Sequence, residues 1–292
     1  PVWRWDGANG FTGVPALGGE VYALAAFQDR LYAGGELVLN GVYARDVLAA
    51  WDGAAWSRPG GGVRYRSSHS DVLVIGEVRA LREIAGRLFV TGQFDSAGGQ
   101  AAGSLAAFDG HTWEAWPPVI GTDLQGGGRA LAEWGGRPVV GGYLGPLGEA
   151  AINHLATWSG GGWEPLVTPG LGADREVNAL VRWRGRLLAG GNFTALGGRR
   201  VGGLAERVGD DWIRFQATPA DTMRFARVEV ILPVGDSLVV IGAPGPSFTG
   251  YGQVGRAWLW DGARWHDTGL SQTFRLGGAA VRWRGHFVLA TD

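Results

Sequence analysis

The chain repeats one pattern of turns about every fifty residues. Each repeat opens with a hydrophobic strand that ends in a Gly-Arg-Leu-like turn, and an aromatic-Asp-Gly turn with a Trp behind it follows about twenty residues later. The first turn precedes Leu31, Leu88, Pro138, Leu187, Leu238 and Phe287, so the repeats recur every 49 to 57 residues. A period near fifty that is made of short strands is typical of a β-propeller, in which each repeat forms one sheet, or blade.

The aromatic-Asp-Gly turn predicts a tight hairpin between the two outer strands of each blade. An Asp in this turn accepts hydrogen bonds from the backbone amides that follow it, and the Gly takes the positive φ that the hairpin needs. A Trp follows the turn at one fixed spacing. The residues of this Trp column are Trp56, Trp113, Trp163, Trp212 and Trp265. We expect them to pack between neighbouring blades, where their rings would cover a large apolar area.

The two ends of the chain each contain half of a repeat. Residues 279–292 hold the first half and residues 1–15 hold the second half, so joining them closes a ring of sheets without unpaired edges. We therefore predict an all-β, six-bladed β-propeller with four antiparallel strands per blade, in which N-terminal strands complete the C-terminal blade. The blades of this single domain, residues 1–292, are expected at about 20–62, 77–120, 128–170, 176–218, 227–270, and 278–292 with 1–15.

The composition argues against several kinds of partner and chemistry. The formal net charge is -1 and the pI is about 6.6, so no general electrostatic force draws the chain to nucleic acid or to anionic membranes. No stretch approaches the roughly 18–20 apolar residues of a membrane-spanning helix. The absence of Cys excludes disulfides and a copper site of the galactose-oxidase type, and the five His residues are too scattered for a zinc site.

One position of the first strand varies between repeats while its neighbours scarcely change. This position, which we call the axial column, holds Tyr22, Arg79, Arg129, Asn178, Glu229 and Gly278. The first strand of a propeller blade lies nearest the axis, so the column is expected to line the mouth of the central channel. A second polar tier lies two residues earlier in the chain, at Glu20, Glu77, Glu176 and Arg227.

Three interpretations of these axial residues remain open. They could solvate a water-filled channel, with Arg79 and Arg129 paired to Glu229 or to the glutamates of the second tier. The two arginines could instead bind a carboxylate or sulfate group of a ligand through paired hydrogen bonds. Finally, Glu77 and Glu176 could coordinate calcium, which prefers several oxygen ligands.

Longer loops are predicted on the face that carries the connections between second and third strands and between successive blades. We expect ligand binding on this face, because loops held by a rigid scaffold commonly carry function. The largest insertion follows the first blade and adds Arg64, Tyr65 and His69 as candidate ligand-binding residues. Residues 222–225 and 246–251 bring further basic and aromatic groups to the fifth blade, where they could form a rim.

The repeats resemble those of Kelch-like, galactose-oxidase-like propellers of the kind found in secreted bacterial proteins. The resemblance covers essentially the whole chain and rests on strings such as Val21-Tyr-Ala-Leu-Ala-Ala-Phe27 and Leu48-Ala-Ala-Trp51-Asp-Gly53-Ala-Ala-Trp56. A Gly pair ends the second strand at Gly34-Gly35, Gly141-Gly142 and Gly190-Gly191. The pattern departs at Thr91-Gly92, Ile241-Gly242 and Ala290-Thr291.

The resemblance implies an exported or cell-surface interaction domain, often one module of a larger protein, and it carries over no catalytic residue. We expect a non-catalytic recognition or scaffold module that binds a glycan or a protein at the loop face and axial mouth. One rival is an enzyme of glycoside hydrolase or lyase type that uses Glu229 with Arg79 and Arg129. Another rival is a structural tile in an extracellular assembly.

Overall fold

The computed structural model describes residues 2–5, 11–14, 17–39, 47–65, 76–118, 127–145, 152–166, 172–216, 223–245, 256–271, 280–284 and 286–290. The chain divides into two compact units, of which the first comprises residues 1–120 and 275–292 and the second comprises residues 121–274. The described residues of each unit form three four-stranded antiparallel sheets, numbered 1 to 6 below in the order of the repeats.

The first unit contains sheets 1, 2 and 6. Sheet 1 consists of Gly18–Phe27, Arg30–Val38, Leu48–Trp51 and Trp56–Ser57. Sheet 2 consists of Glu77–Ile84, Arg87–Gln93, Leu105–Phe108 and Trp113–Ala115. Sheet 6 has the strand order Phe11–Gly13, Val2–Trp5, His286–Ala290 and Ala280–Trp283. A 3-10 turn at Pro59–Gly61 and a small sheet of Val63–Arg64, Ser96–Ala97 and Gln100–Ala101 complete the elements described in this unit.

The second unit contains sheets 3, 4 and 5. Sheet 3 consists of Gly127–Trp134, Arg137–Tyr143, Leu155–Trp158 and Trp163–Glu164. Sheet 4 consists of Val177–Trp183, Arg186–Gly191, Leu204–Val208 and Asp211–Arg214. Sheet 5 consists of Phe225–Val234, Ser237–Pro244, Arg256–Trp260 and Trp265–Ser271. In the connection from the second to the third strand of sheet 4, the chain forms a two-stranded ribbon of Ala195–Leu196 and Arg199–Arg200.

The all-β class and the four-stranded antiparallel meander predicted for each repeat are confirmed. The expected pairing of the chain ends is also present, because Val2–Trp5 runs antiparallel to His286–Ala290 with Val2 opposite Ala290. The arrangement of the sheets as a closed six-bladed ring stays a prediction.

A β-bulge interrupts the pairing of the first and second strands at the same place in sheets 1 to 5. In sheet 1, Val21 lies opposite Gly35 and Ala23 lies opposite Gly34, so Tyr22 has no residue opposite it. The bulged residues of the five sheets are Tyr22, Arg79, Arg129, Asn178 and Glu229. Five of the six residues of the axial column are therefore bulged residues, and the sixth, Gly278, lies outside the described residues. A bulge adds one unpaired residue and bends its strand, so it can re-aim that residue's side chain.

The second glycine of each Gly pair is required by the bulge. A Cβ on Gly35 would lie 2.0 Å from the carbonyl oxygen of Glu20, and one on Gly191 would lie 2.1 Å from that of Glu176. The position is Gly in all five sheets, at Gly35, Gly92, Gly142, Gly191 and Gly242. The departures Thr91-Gly92 and Ile241-Gly242 affect only the first position, so they leave the bulge intact.

The first glycine of the pair allows the next sheet to pack directly on the backbone. A Cβ on Gly34 would lie 2.3 Å from Cγ1 of Val78, which belongs to sheet 2. In the second unit, a Cβ on Gly190 would lie 2.5 Å from Cγ1 of Val228, in sheet 5. Val78 and Val228 are both fully buried, so these contacts form part of the apolar core between sheets.

The aromatic-Asp-Gly turns have the predicted local geometry. Oδ1 of Asp109 accepts hydrogen bonds from the backbone amides of Thr112 and His111, both at 2.7 Å, and Gly110 has a φ of 104°. These bonds lower the pKa of Asp109 to about 2, because they stabilise the ionised carboxylate.

Several residues of the Trp column pack against the preceding sheet as expected. Nε1 of Trp113 donates a hydrogen bond of 2.9 Å to the carbonyl oxygen of Pro59, in the connection from sheet 1. The ring of Trp265 lies 6.2 Å from that of Phe215, which directly follows the last strand of sheet 4. Trp212 is 1 % exposed and lies in a core cluster with side chains of sheet 3.

The glycine contacts predict a large difference between two Gly→Ala variants of the second unit. Gly191→Ala should lower the free energy of unfolding by about 1–3 kcal/mol, the usual cost of forcing extra atoms into a packed region. Gly161→Ala is the control, since a Cβ there meets nothing within 4 Å and Gly161 has no positive φ. Its effect should stay within about 0.5 kcal/mol. Urea unfolding midpoints measure both, and equal midpoints for the two variants would contradict the proposed contact.

Candidate functional site

In the first unit, the bulge brings three polar side chains of sheet 1 together. The hydroxyl of Tyr22 lies 2.7 Å from Oε2 of Glu20 and 3.1 Å from Oε1 of Glu36 and donates to both carboxylates. Glu20 and Glu36 are directly opposite each other on neighbouring strands, a position in which like charges repel. The shared hydroxyl proton of Tyr22 therefore offsets part of the repulsion between these two carboxylates.

This environment keeps Tyr22 protonated. Burial raises the pKa of Tyr22 well above its usual value, and the hydrogen bond to Glu20 and the negative charge of Glu36 raise it further. A phenol held in this form is a hydrogen-bond donor and a poor nucleophile. Tyr22 therefore serves here to hold the glutamates in place.

Arg79 continues the same cluster from sheet 2. Its guanidinium carbon lies 5.1 Å from the centre of the Tyr22 ring, within the range of a cation–π interaction. Its Nε also donates a hydrogen bond of 2.5 Å to Oε1 of Glu77. The pairing of Arg79 with a glutamate of the second tier is one of the arrangements expected for a solvated channel. The Arg79 side chain is still 38 % exposed, so part of the guanidinium remains accessible.

In the second unit, the column residues form a chain of hydrogen bonds across three sheets. Nη1 of Arg129, in sheet 3, donates to Oδ1 of Asn178, in sheet 4, over 3.2 Å. Nδ2 of Asn178 in turn donates to the carbonyl oxygen of Val228, in sheet 5, over 3.2 Å. Val228 directly precedes the bulged residue Glu229, so each bulge in this unit is tied to the next one.

The carboxylates of the second unit are also bonded within the protein. Glu229 forms an ion pair with Arg227, and Glu176 accepts a hydrogen bond of 3.4 Å from Nδ2 of Asn192. His154 lies close enough to Glu176 for their charges to interact, but burial outweighs this attraction and lowers the pKa of His154. The candidate binding residues of the axial column thus have protein partners that any ligand would have to displace.

The residues proposed from the first insertion have different environments. Tyr65 is only 8 % exposed, so its ring is part of the protein interior rather than of a recognition surface. Arg64 ends the strand Val63–Arg64, and its carbonyl oxygen accepts a hydrogen bond of 3.1 Å from the Asp95 amide. His69 lies outside the described residues.

A cavity of about 310 Å³ opens between sheets 4 and 5 of the second unit. Its apolar wall consists of Val201, Leu204, Phe215, Met223, Phe225 and Trp265. The polar side chains that line it are Thr194, Arg200, Arg214 and Arg224. The connection between the second and third strands of sheet 4 and the segment that enters sheet 5 supply most of this lining.

The sequence pointed to part of this cavity. Met223, Arg224 and Phe225 belong to the segment predicted to form a rim at the fifth blade, and Trp265 belongs to the Trp column. Arg200 and Arg214 had no sequence signal, since both lie on short strands outside the axial column. Residues 246–251, the other part of the predicted rim, lie outside the described residues.

No group of three or more His, Cys, Asp or Glu side chains that could hold a metal ion is found among the described residues. The calcium site suggested for Glu77 and Glu176 stays a proposal. In the part of the chain that the structure describes, no helix is long and apolar enough to cross a bilayer.

Comparison with known proteins yields only distant similarity. No protein-family model matches the chain, and no curated protein matches it. Among solved structures, the chain is similar to the WD40 beta propeller domain of Doa1, with 11 % identity, a TM-score of 0.48 and coverage of 94 % of this chain and 92 % of that chain. For YCF48 bound to D1 peptide, the identity is 14 %, the TM-score 0.44 and the coverage 93 % and 75 %.

A third similar structure is the extracellular domain of the hybrid two component system BT4673 from B. thetaiotaomicron. The identity is 10 % and the TM-score 0.46, and the match covers 93 % of this chain but 40 % of that one. All three values of identity and TM-score are too low for the binding properties of these proteins to be carried over.

The environment of Tyr22 predicts an unusual titration. Because the pKa of Tyr22 is raised in the folded state, protonated Tyr22 stabilises the fold fully below about pH 10, the ordinary tyrosine pKa. This stabilisation is lost as the pH rises from there through the folded-state pKa. The phenolate absorbance of the folded parent minus that of Tyr22→Phe should therefore show no step near pH 10. In denaturant the same difference should show that step. A step near pH 10 in the folded protein would contradict the described hydrogen bonds.

Proposed function

We propose that this chain is a non-catalytic recognition module of the β-propeller type, which binds a polar ligand on the face that carries its strand connections. The observation that supports this most directly is the cavity between sheets 4 and 5. Connections that vary between repeats line it, whereas the shared hairpin positions hold the sheets together. Binding surfaces are commonly built from such loops on a rigid sheet scaffold.

Recognition fits the chemistry of this cavity better than catalysis. Its charged side chains among the described residues are arginines, which stay protonated at all working pH values and cannot act as a general acid or base. Thr194, which has the one hydroxyl among the described lining residues, donates to Asp174 over 2.6 Å. Guanidinium groups are well suited to hold a carboxylate, sulfate or phosphate group in a fixed orientation.

The axial column supports the glycoside hydrolase or lyase alternative less well. Such an enzyme would use two carboxylic groups with different protonation states on either side of a glycosidic bond. In the described residues, Glu20 and Glu36 share the hydroxyl of Tyr22, Glu77 holds Arg79, and Glu229 holds Arg227. These contacts fix the sheets, and a substrate would have to break them.

The wider role follows from the resemblance to secreted, Kelch-like bacterial propellers. We propose an exported or cell-surface location and a partner that is a protein or a glycan, with the chain acting as one module of a larger protein. The partner would cover the connection face and place one anionic group in the cavity.

An array of glycans and acidic peptides, read with and without calcium, tests the recognition role. The parent chain should bind at least one class of anionic ligand, and the Arg200→Gln, Arg224→Gln double variant should lose at least tenfold in affinity, because each hydrogen bond to a charged group contributes roughly 1.5–3 kcal/mol. Arg199→Gln is the matched control, since Arg199 neighbours Arg200 but pairs with Asp211 outside the cavity.

A second variant separates the two candidate surfaces. Arg79→Ala, Arg129→Ala removes both arginines of the axial column and should leave binding to the connection face within about twofold of the parent. Loss of binding in this variant alone would move the site to the axial column. Failure of the parent to bind any ligand would contradict a recognition role and favour the structural tile.

A further inference from the structure

The cavity between sheets 4 and 5 concentrates positive charge that no described carboxylate neutralises. Arg200, Arg214 and Arg224 line it, and none of the three forms an ion pair with a described residue. Other arginines of the same unit are paired, such as Arg186 with Glu206 and Arg256 with Asp267. Within the described residues, three arginines without an ion pair thus line one cavity.

Arg214 contributes a charged side chain to the cavity lining and is partly buried. Its Nη1 is buried and has no hydrogen-bond partner among the described residues. A buried cationic donor without an acceptor is costly, because the protein has removed it from water without replacing the lost hydrogen bonds. An anion bound in the cavity beside this guanidinium would offset its charge.

Three aromatic residues of the cavity lining contact one another. The ring of Trp265 lies 5.3 Å from that of Phe225 and 6.2 Å from that of Phe215, with interplanar angles of 70° and 72°. Phe215 and Phe225 are 3 % and 4 % exposed. Edge-to-face contacts of this kind make a rigid surface, and a flat apolar ring can pack against it.

Two carbonyl oxygens of the residues that line the cavity already accept backbone hydrogen bonds. The carbonyl oxygen of Thr194 accepts bonds from the amides of Val201 and Gly202, at 3.0 and 3.2 Å, and that of Phe225 accepts one from Gly203 at 2.8 Å. A volume of about 310 Å³ is near the lower end of ligand sites, which start at roughly 300 Å³, so one ring and one acidic group fill it.

We infer that this cavity binds an aromatic ring that carries an oxyanion, with the carboxylate or sulfate group on Arg214, Arg200 and Arg224 and the ring against Trp265. The inference rests on the proposed function, since it names the chemical group that the connection face recognises. A free aryl acid and a sulfated tyrosine side chain of a partner protein both present this group. An uncharged aromatic compound lacks the oxyanion, and a sugar acid lacks the aromatic ring.

Calorimetric titration with phenyl sulfate tests the inference on the whole chain. Phenyl sulfate should bind at least tenfold more tightly than inorganic sulfate, benzyl alcohol or glucuronate, each of which lacks one of the two required features. A short peptide with a sulfated tyrosine, compared with its unsulfated form, distinguishes a protein partner from a free aryl acid. Equal affinity for phenyl sulfate and inorganic sulfate would overturn the inference, as would no detectable binding of phenyl sulfate.

The Arg214→Met variant distinguishes a ligand-binding role of Arg214 from a purely structural one. This variant should weaken phenyl sulfate binding at least tenfold while its thermal midpoint without ligand stays equal to or above that of the parent, because it removes a guanidinium whose buried Nη1 has no hydrogen-bond partner. A lower midpoint with binding retained would mean that Arg214 has a partner within the protein, and would refute the assignment. The exposed Arg200→Gln should also weaken binding, and Arg199→Gln should stay within about twofold of the parent.

The two proposals can fail separately. If array ligands bind in a way that depends on Arg200 and Arg224 but phenyl sulfate does not displace them, the recognition role stands and the aromatic anion is wrong. If neither the array ligands nor phenyl sulfate bind, both proposals are wrong.

Discussion

The close approach of two backbones at each first hairpin is the constraint on which the rest of the structure depends. At Gly191, only a hydrogen atom fits beside the carbonyl oxygen of Glu176, and the bulge at Asn178 exists because that approach is possible. The first glycine of each pair then lets a valine of the next sheet, such as Val228 on Gly190, pack against bare backbone. One pair of glycines thus sets both the bend within a sheet and the packing between sheets of a unit.

The bulges decide how charge is distributed in the chain. They free one side chain per sheet from the ladder, and the structure uses these side chains to bind their neighbours, as in the bonds from Arg129 to Asn178 and from Asn178 to Val228. Because all 26 basic residues are Arg, the presence of an arginine says little about function in this protein. Its surroundings say more: Arg79 and Arg227 face carboxylates, whereas Arg214 lines an open cavity and has no ion pair with a described carboxylate.

The sequence predicted the local architecture well because that architecture is encoded by short-range patterns. The Asp-Gly turns and the strand meander follow from hydrophobic alternation and turn residues, which act within about a dozen positions. The pairing of the chain ends was predicted from the half repeat that each end contains. The axial column was identified from its variability, but its bulge was not, because an unpaired residue produces no recognisable sequence pattern on the first strand. Its signal lies on the second strand, in the glycine that persists in Thr91-Gly92 and Ile241-Gly242.

The cavity could be predicted only in part, since its walls come from residues far apart in the sequence. Met223 to Phe225 stood out as a basic and aromatic segment, whereas Arg200 reaches the same space from the two-stranded ribbon and Arg214 from the last strand of sheet 4. Three-dimensional placement alone shows that Nη1 of Arg214 lacks an acceptor. The same placement shows that Tyr65, a candidate from the sequence, is buried.

A crystal structure of the whole chain with phenyl sulfate would test the central claim most directly. We expect the sulfate oxygens within hydrogen-bond distance of the Arg214 guanidinium and the phenyl ring in contact with Trp265. Phenyl sulfate bound at the axial column, with the cavity between sheets 4 and 5 filled by ordered water, would contradict the claim.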